Sequence, residues 1–137
     1  MKICIVDDSN IVAERLKTII TEIDGLDCVG FATNAKDAVE AILQNKPNIV
    51  ILDIRLRGEN GINVLEQIRK EKPAPICIML TNYPYPQYRK RCIELGADYF
   101  FDKVTEFGDF IDVLKTLAHN HLRLQDRNVP PMEGNKK

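Results

Sequence analysis

Five short apolar runs punctuate the chain, at residues 2–6 (KICIV), 27–32 (DCVGFA), 48–52 (NIVIL), 75–80 (PICIML) and 98–101 (DYFF). Each is too short for a helix, and most are unbroken by polar residues, as in strands covered on both faces of a parallel sheet. The second is the weakest and the third the most hydrophobic. The stretches between them carry apolar residues at helical spacing. A helix is predicted from about Asn10 to Ile23, with Ile11, Val12, Leu16, Ile19, Ile20 and Ile23 on one stripe and Ser9 or Asn10 as its cap. Asn34 to Asp37 resembles a capping box with Asp in place of Glu. It opens a helix that buries Ala38, Val39, Ala41, Ile42 and Leu43 and stops before Pro47. A third helix is expected over about Ile62 to Lys70, and a fourth over Pro86 to Leu95, ended by Gly96. The last starts near Thr105 and turns Phe107, Phe110, Ile111, Leu114, Leu117, Ala118 and Leu122 inward. Asn60-Gly61 is a strong hairpin signal in general. The residues after it have helical spacing, so the segment RLRGENG is read as a loop into the third helix.

Strict alternation of strand and helix predicts an α/β fold: a three-layer, doubly wound sandwich around a five-stranded parallel sheet. The flavodoxin-like strand order 2-1-3-4-5 is the commonest at this size, with its switch point between strands 1 and 3. Residues 1–122 are expected to form this one domain. From Arg123 the periodicity stops, and 123–137 reads as a flexible tail or a linker stub.

The chemistry-bearing residues sit where the strands end. Asp7 and Asp8 close the first strand and Asp53 the third, so three carboxylates fall at the predicted ligand crevice. Such crowding of like charges calls for a cation, and oxygen-only ligation with room for water suits Mg²⁺. Thr81 follows the fourth strand and Lys103 the fifth, groups able to handle a phosphate. Each has a plainer reading by itself. Asp7-Asp8 before Ser-Asn can be a strand end and helix cap; a threonine often ends a strand; a lysine there can simply be solvated. Acid, acid, hydroxyl and base in the order one crevice demands are much harder to read as coincidence.

Composition narrows the alternatives. The 137 residues are 45% hydrophobic and 28% charged with net charge −1, so nothing points to nucleic acid as a partner. No apolar run approaches the roughly 20 residues of a membrane span. The chain opens directly on a strand pattern, so no signal peptide is expected and a cytoplasmic setting is the default. Cys4, Cys28, Cys77 and Cys92 form no C-x-x-C pair and read as reduced core thiols. His119 and His121 read as solvated tail residues.

Together, VDDS, ILDIRL with Gly61 eight residues beyond Asp53, MLTN and the GADYFFDK block resemble the receiver domain of two-component response regulators, over roughly residues 1–120. The longer strings GADYFFDKVTEF and LTNYPYPQYRKRC look most like small, single-domain receivers of the chemotaxis-regulator kind. The resemblance implies that Asp53 is the phosphoacceptor. It implies direct Mg²⁺ ligation by Asp8 and Asp53, with Asp7 acting through water and the Arg55 backbone carbonyl as a further ligand. Thr81 and Lys103 would each bind a phosphoryl oxygen, and Phe100 matches the switch aromatic. The implied donor is a sensor histidine kinase or phosphotransfer protein. The output would be a protein partner on the face of helix 4, strand 5 and helix 5, with a phosphorylation-dependent dimer possible and no direct nucleic-acid or membrane contact. Activity would be limited to self-phosphorylation from a phosphodonor and slow self-dephosphorylation. Three positions depart from the family pattern: Arg57 and Val104 stand where proline is usual, and Asn82 where a small residue is usual. Other readings are the receiver portion of a longer transcription factor whose DNA-binding output domain lies elsewhere, and a phosphatase with an aspartyl nucleophile. Such phosphatases want an Asp two residues after the nucleophile, where this chain has Arg55. A flavin-binding module is disfavoured by the acidic first turn.

Overall fold

A computed structural model of the chain describes residues 1–125. The elements run β1 (Lys2–Val6), α1 (Asn10–Thr21), β2 (Asp27–Ala32), α2 (Ala35–Asn45), β3 (Ile49–Leu52), β4 (Arg55–Leu56), β5 (Glu59–Asn60), α3 (Gly61–Ile68), β6 (Ile76–Thr81), α4 (Pro86–Glu94), β7 (Tyr99–Asp102) and α5 (Phe107–Gln125). The five long strands form one parallel sheet in the order β2-β1-β3-β6-β7. That is the flavodoxin-like 2-1-3-4-5 order expected for five βα units.

The sheet separates two apolar layers, because successive strand residues point to opposite faces. Ile3, Ile5, Ile51, Ile78 and Leu80 meet Leu16 and Ile20 of α1 and Phe110 and Leu114 of α5. Val6, Val50, Leu52, Met79 and Phe100 meet Ala38 and Ile42 of α2, Val64, Leu65 and Ile68 of α3, and Cys92 of α4. Of α4, only Cys92 is fully buried, so that helix is the most lightly held. The four cysteines are unpaired thiols, and burial pushes those of Cys4, Cys77 and Cys92 up to about 11.

Helix starts follow local capping. The Ser9 hydroxyl accepts from Val12 N, and Asn34 Oδ1 accepts from Asp37 N while its Nδ2 donates to Asp37 Oδ2. The segment read as a plain loop contains a miniature hairpin. Arg55 pairs with Asn60 and Leu56 with Glu59, around a two-residue turn at Arg57-Gly58, where Gly58 has φ 69°. The turn lies ahead of the Asn-Gly signal. Asn60 instead caps α3, its Oδ1 accepting from Ile62 N at 2.8 Å. The last helix begins at Phe107, two residues later than predicted. Asp102 Oδ1 accepts from the N–H groups of Val104 and Thr105 and holds them in a turn that competes with helix. It also runs past Leu122 to Gln125, and Leu122 packs on Gly25, where a methyl group would lie 3.1 Å away. His119 and His121 are therefore on α5, and His121 Nε2 lies 3.0 Å from Gln125 Nε2. The rest of the expected tail, 126–137, lies outside the described residues. No helix among the described residues is long and apolar enough to cross a membrane.

Candidate functional site

β1 and β3 are adjacent and end in register, Val6 beside Leu52, so the residues that follow emerge side by side. Asp53 N donates to Val6 O at 2.9 Å and Asp7 N to Ala32 O at 3.0 Å, which fixes both backbones. Asp7, Asp8 and Asp53 each offer a carboxylate oxygen, and the three lie within 4.8 Å of one another. Asp7 and Asp53 are buried and Asp8 is exposed. Thr81 ends β6 in full burial, and its carbonyl accepts from Lys103 N at 2.8 Å. Lys103 then reaches back across the crevice. Its Nζ donates to Asp7 Oδ2 at 2.8 Å and to Asp53 Oδ2 at 3.0 Å. Asp7, Asp8, Asp53, Thr81 and Lys103 thus converge at the carboxyl edge of the sheet.

The carboxylates are not equivalent. Asp7 has both oxygens engaged, Oδ2 by Lys103 and Oδ1 by Ser9 N at 2.9 Å. Asp7 thus ends the strand in a turn, while the cap of α1 is Ser9 and neither acid. Asp53 Oδ1 is buried and has no hydrogen-bond partner. An unpaired buried acceptor costs roughly 1–3 kcal/mol, so its persistence calls for a group that uses it. Burial pushes the Asp53 carboxyl above its ordinary range, and the Lys103 ammonium only partly opposes this. Burial works against the Lys103 ammonium as well, but the Asp53 and Asp7 carboxylates outweigh it and hold the lysine above its ordinary value. One ammonium shared between two buried acids leaves the cluster short of positive charge. The donor set is all carboxylate oxygen, with one member exposed to water, which fits a hard divalent cation such as Mg²⁺.

Around this centre lie groups whose placement only the structure reveals. Arg55, first residue of β4, stacks its guanidinium 4.2 Å from the centre of the Tyr83 ring. The two share with Asp8, Glu59, Asn60 and Tyr88 an open groove of about 510 Å³ beside the carboxylates. Thr81 Oγ1 accepts from Tyr83 N at 3.0 Å, leaving its proton to donate elsewhere. Gly61 approaches the acceptor backbone so closely that a methyl group there would lie 1.9 Å from the Asp53 carbonyl oxygen. Phe100 is buried, with Arg89 of α4 over its ring at 4.6 Å. Arg89 therefore leans onto β7, although it stays exposed as Lys90 and Arg91 do. Ile11, expected on the inner stripe of the first helix, instead lies strongly exposed in the first turn of α1, and Val104 is equally exposed in the turn after β7. Lys103–Val104 is an ordinary trans peptide.

The doubly wound sheet thus gathers clustered acids, a buried hydroxyl and a bridging lysine at its switch point. The chain belongs to the response regulator receiver domain family, whose model matches residues 3–115. It is 37% identical over 97 residues to the transcriptional regulatory protein LytR of Staphylococcus aureus, covering 71% of this chain and 39% of that protein. The receiver domain of CheB from Thermotoga maritima superposes with a TM-score of 0.76 at 28% identity, over 96% of this chain and 98% of that one. A chain of the CheX–CheY–BeF₃–Mg²⁺ complex from Borrelia burgdorferi superposes at 0.71 with 26% identity, covering 82% and 88%. The chain spans 35–57% of the length of the curated relatives it matches.

Proposed function

We propose that this receiver accepts a phosphoryl group on Asp53 in a Mg²⁺-dependent reaction and signals by conformational change to a protein partner. The observation that carries this reading is Asp53 Oδ1, a buried oxygen without a partner beside two further carboxylates and one ammonium. A carboxylate oxygen attacks phosphorus in line, forming an O–P bond as the P–N bond of a phosphohistidine donor breaks and the imidazole leaves with the electron pair. Lys103 releases Asp53 Oδ2 and pairs with one phosphoryl oxygen; the Thr81 hydroxyl, its lone pair held by Tyr83 N, donates to another. Asp8, Asp53 and the Arg55 carbonyl would hold the cation directly, and Asp7, with both oxygens engaged, would act through water. Bound Mg²⁺ neutralises the charge that gathers between the carboxylates and the transferring group. The donor is a histidine kinase or phosphotransfer protein, the output face is α4, β7 and α5, and the setting is cytoplasmic.

The test is to incubate the full chain with Mg²⁺ and acetyl phosphate and weigh it by mass spectrometry. A phosphoryl adduct on the wild type that is absent from Asp53→Asn and absent without Mg²⁺ is the expected result. An adduct that survives Asp53→Asn overturns the assignment.

A further inference from the structure

The small hairpin that follows Asp53 is tied to a distant helix by one carboxylate. Leu56 and Glu59 flank its turn and Arg55 pairs with Asn60, so the Arg55 backbone is held in register with Glu59 and Asn60. Three side chains fix the ribbon locally. Leu56 is buried, the Arg55 guanidinium stacks on Tyr83, and Asn60 caps α3. The fourth tie crosses to another element. Glu59 Oε1 accepts from the backbone N–H of Ala35, the first residue of α2, at 3.2 Å. That N–H is one of the donors a helix start leaves unpaired, and the Asn34 cap serves a different one, that of Asp37. The same β2–α2 junction holds the other side of the crevice. Ala32 O, three residues earlier, accepts from Asp7 N at 3.0 Å. The junction therefore grips the end of β1 through Ala32 and the hairpin after β3 through Glu59, and Asp8, Arg55 and Glu59 line one groove.

We propose that Glu59 is a positioning residue that sets the Mg²⁺ affinity, holding the Arg55 backbone carbonyl at the cation by tying the hairpin to the start of α2. This rests on the Mg²⁺ reading above and names a residue that tunes that same site. Asp8 follows β1 and Arg55 follows β3, so a cation that joins them needs the two chain segments at a fixed spacing. Any freedom left to the hairpin must be frozen when the cation binds, and that freezing subtracts from affinity. The hairpin has little backbone support of its own, since β4 and β5 pair only with each other. Glu59 supplies the missing restraint from the element that already anchors Asp7. It acts through its hydrogen bond and not as a ligand. The carboxylates gathered at the centre are Asp7, Asp8 and Asp53, and Oε1 of Glu59 is engaged by Ala35 N. A carboxamide oxygen in the same place would serve equally well.

The experiment titrates Mg²⁺ into ¹⁵N-labelled full chains and follows the backbone amides around the crevice by NMR. Wild type is compared with Glu59→Ala, Glu59→Gln, Ala35→Pro, the Glu59→Ala/Ala35→Pro double variant and Asp8→Ala. Ala35→Pro deletes only the donor. Proline is tolerated at the first helical position, and Asn34 before it is already extended, at φ −139° and ψ 166°. Glu59→Ala and Ala35→Pro should each raise the Mg²⁺ Kd about two- to fivefold, the worth of one hydrogen bond. The double variant should bind no more weakly than the weaker single, because both remove the same contact. Glu59→Gln keeps an acceptor oxygen and should recover most of the loss, which a role through charge alone would not permit. Without Mg²⁺, hydrogen exchange in the hairpin should quicken in Glu59→Ala and Ala35→Pro alike. A Kd unchanged in either single variant, additive losses in the double, or a Glu59→Gln loss as large as that of Glu59→Ala overturns the positioning role. Wild type whose amides ignore Mg²⁺, or Asp8→Ala that binds it as wild type does, instead overturns the Mg²⁺ reading.

Discussion

Replacing Gly61 by alanine should injure the site from outside it. By sequence rules the change is favourable, since alanine leaves the unfolded chain less freedom to lose than glycine does, worth roughly 0.4–1 kcal/mol. The backbone at Gly61 is not in the left-handed region, so conformation sets no objection. Space does. The new methyl carbon would lie 1.9 Å from the Asp53 carbonyl oxygen, 3.0 Å from its carbonyl carbon and 3.2 Å from Ile54 Cα, where ordinary contact begins at 3.4 Å. All three are backbone atoms, so no side chain can rotate away. Either α3 or the end of β3 must move by more than an ångström, and Gly61 N, bonded to Ile54 O, must move with it. Forcing a methyl group into a filled space costs roughly 1–3 kcal/mol and sometimes more. A contact this short belongs at or beyond the upper end, so sterics exceed propensity and the net loss is about 1–3 kcal/mol. For a domain of this size that lowers Tm by roughly 3–10 °C. The displaced atoms belong to the acceptor residue itself, and an ångström of misplacement slows a positioned reaction by on the order of 10²-fold. Thermal unfolding and the rate of adduct formation from acetyl phosphate measure the two effects. A Gly61→Ala protein as stable as wild type, or more stable, with an unchanged rate would refute the steric reading.

Mg²⁺ should raise Tm by relieving the carboxylate cluster, by about 1.4 kcal/mol at ten times its Kd, and Asp8→Ala should largely abolish the rise in a thermal-shift titration. The Lys103 ammonium is held above its ordinary value of 10.5, so its contribution is complete below that pH and is lost as pH climbs through the raised value. Urea unfolding on the alkaline side should therefore show stability falling in wild type, and Lys103→Met should flatten that fall while being less stable at neutral pH. Arg55 and Tyr83 stack on each other in the groove beside the carboxylates, where their bulk would stand in the way of in-line water. Phospho-Asp53 should consequently decay severalfold faster in Arg55→Asn/Tyr83→Glu than in wild type once donor is removed, and slower decay would contradict the shielding.

The sheet and its acid cluster were legible because they are written in strong local signals. Unbroken runs such as NIVIL do not fit a helix, and a carboxylate directly after one has few places to go except the crevice. The hairpin around Gly58 was not legible, because two-residue strands are too short to show alternation, and the louder Asn-Gly signal beside it belongs to a helix cap. The late start of α5 turns on one side chain, Asp102, whose competing turn is invisible to apolar periodicity. Its extension to Gln125 depends on a packing partner, Gly25, nearly a hundred residues away. Arg89 shows the limit most plainly. In sequence it is one of three consecutive cations, and only the position of β7 separates it from Lys90 and Arg91. The division of labour among the acids was likewise hidden, since it depends on which oxygens Ser9 and Lys103 already occupy.

The order of the site along the chain has a further consequence. Asp7, Asp8 and Asp53 all precede the exposed Glu71–Pro73 loop, and Thr81 and Lys103 both follow it. The chain thus divides there into a fragment holding every acid and a fragment holding the hydroxyl and the base. Neither fragment has a site, and each leaves open one side of the buried ladder that joins Ile49–Leu52 to Ile76–Met79. Cleaved in that loop, the two pieces should recover phosphoryl acceptance only by re-forming this ladder and restoring the Lys103 bridges across it. Acceptor chemistry would then report fragment complementation directly, with no fused reporter.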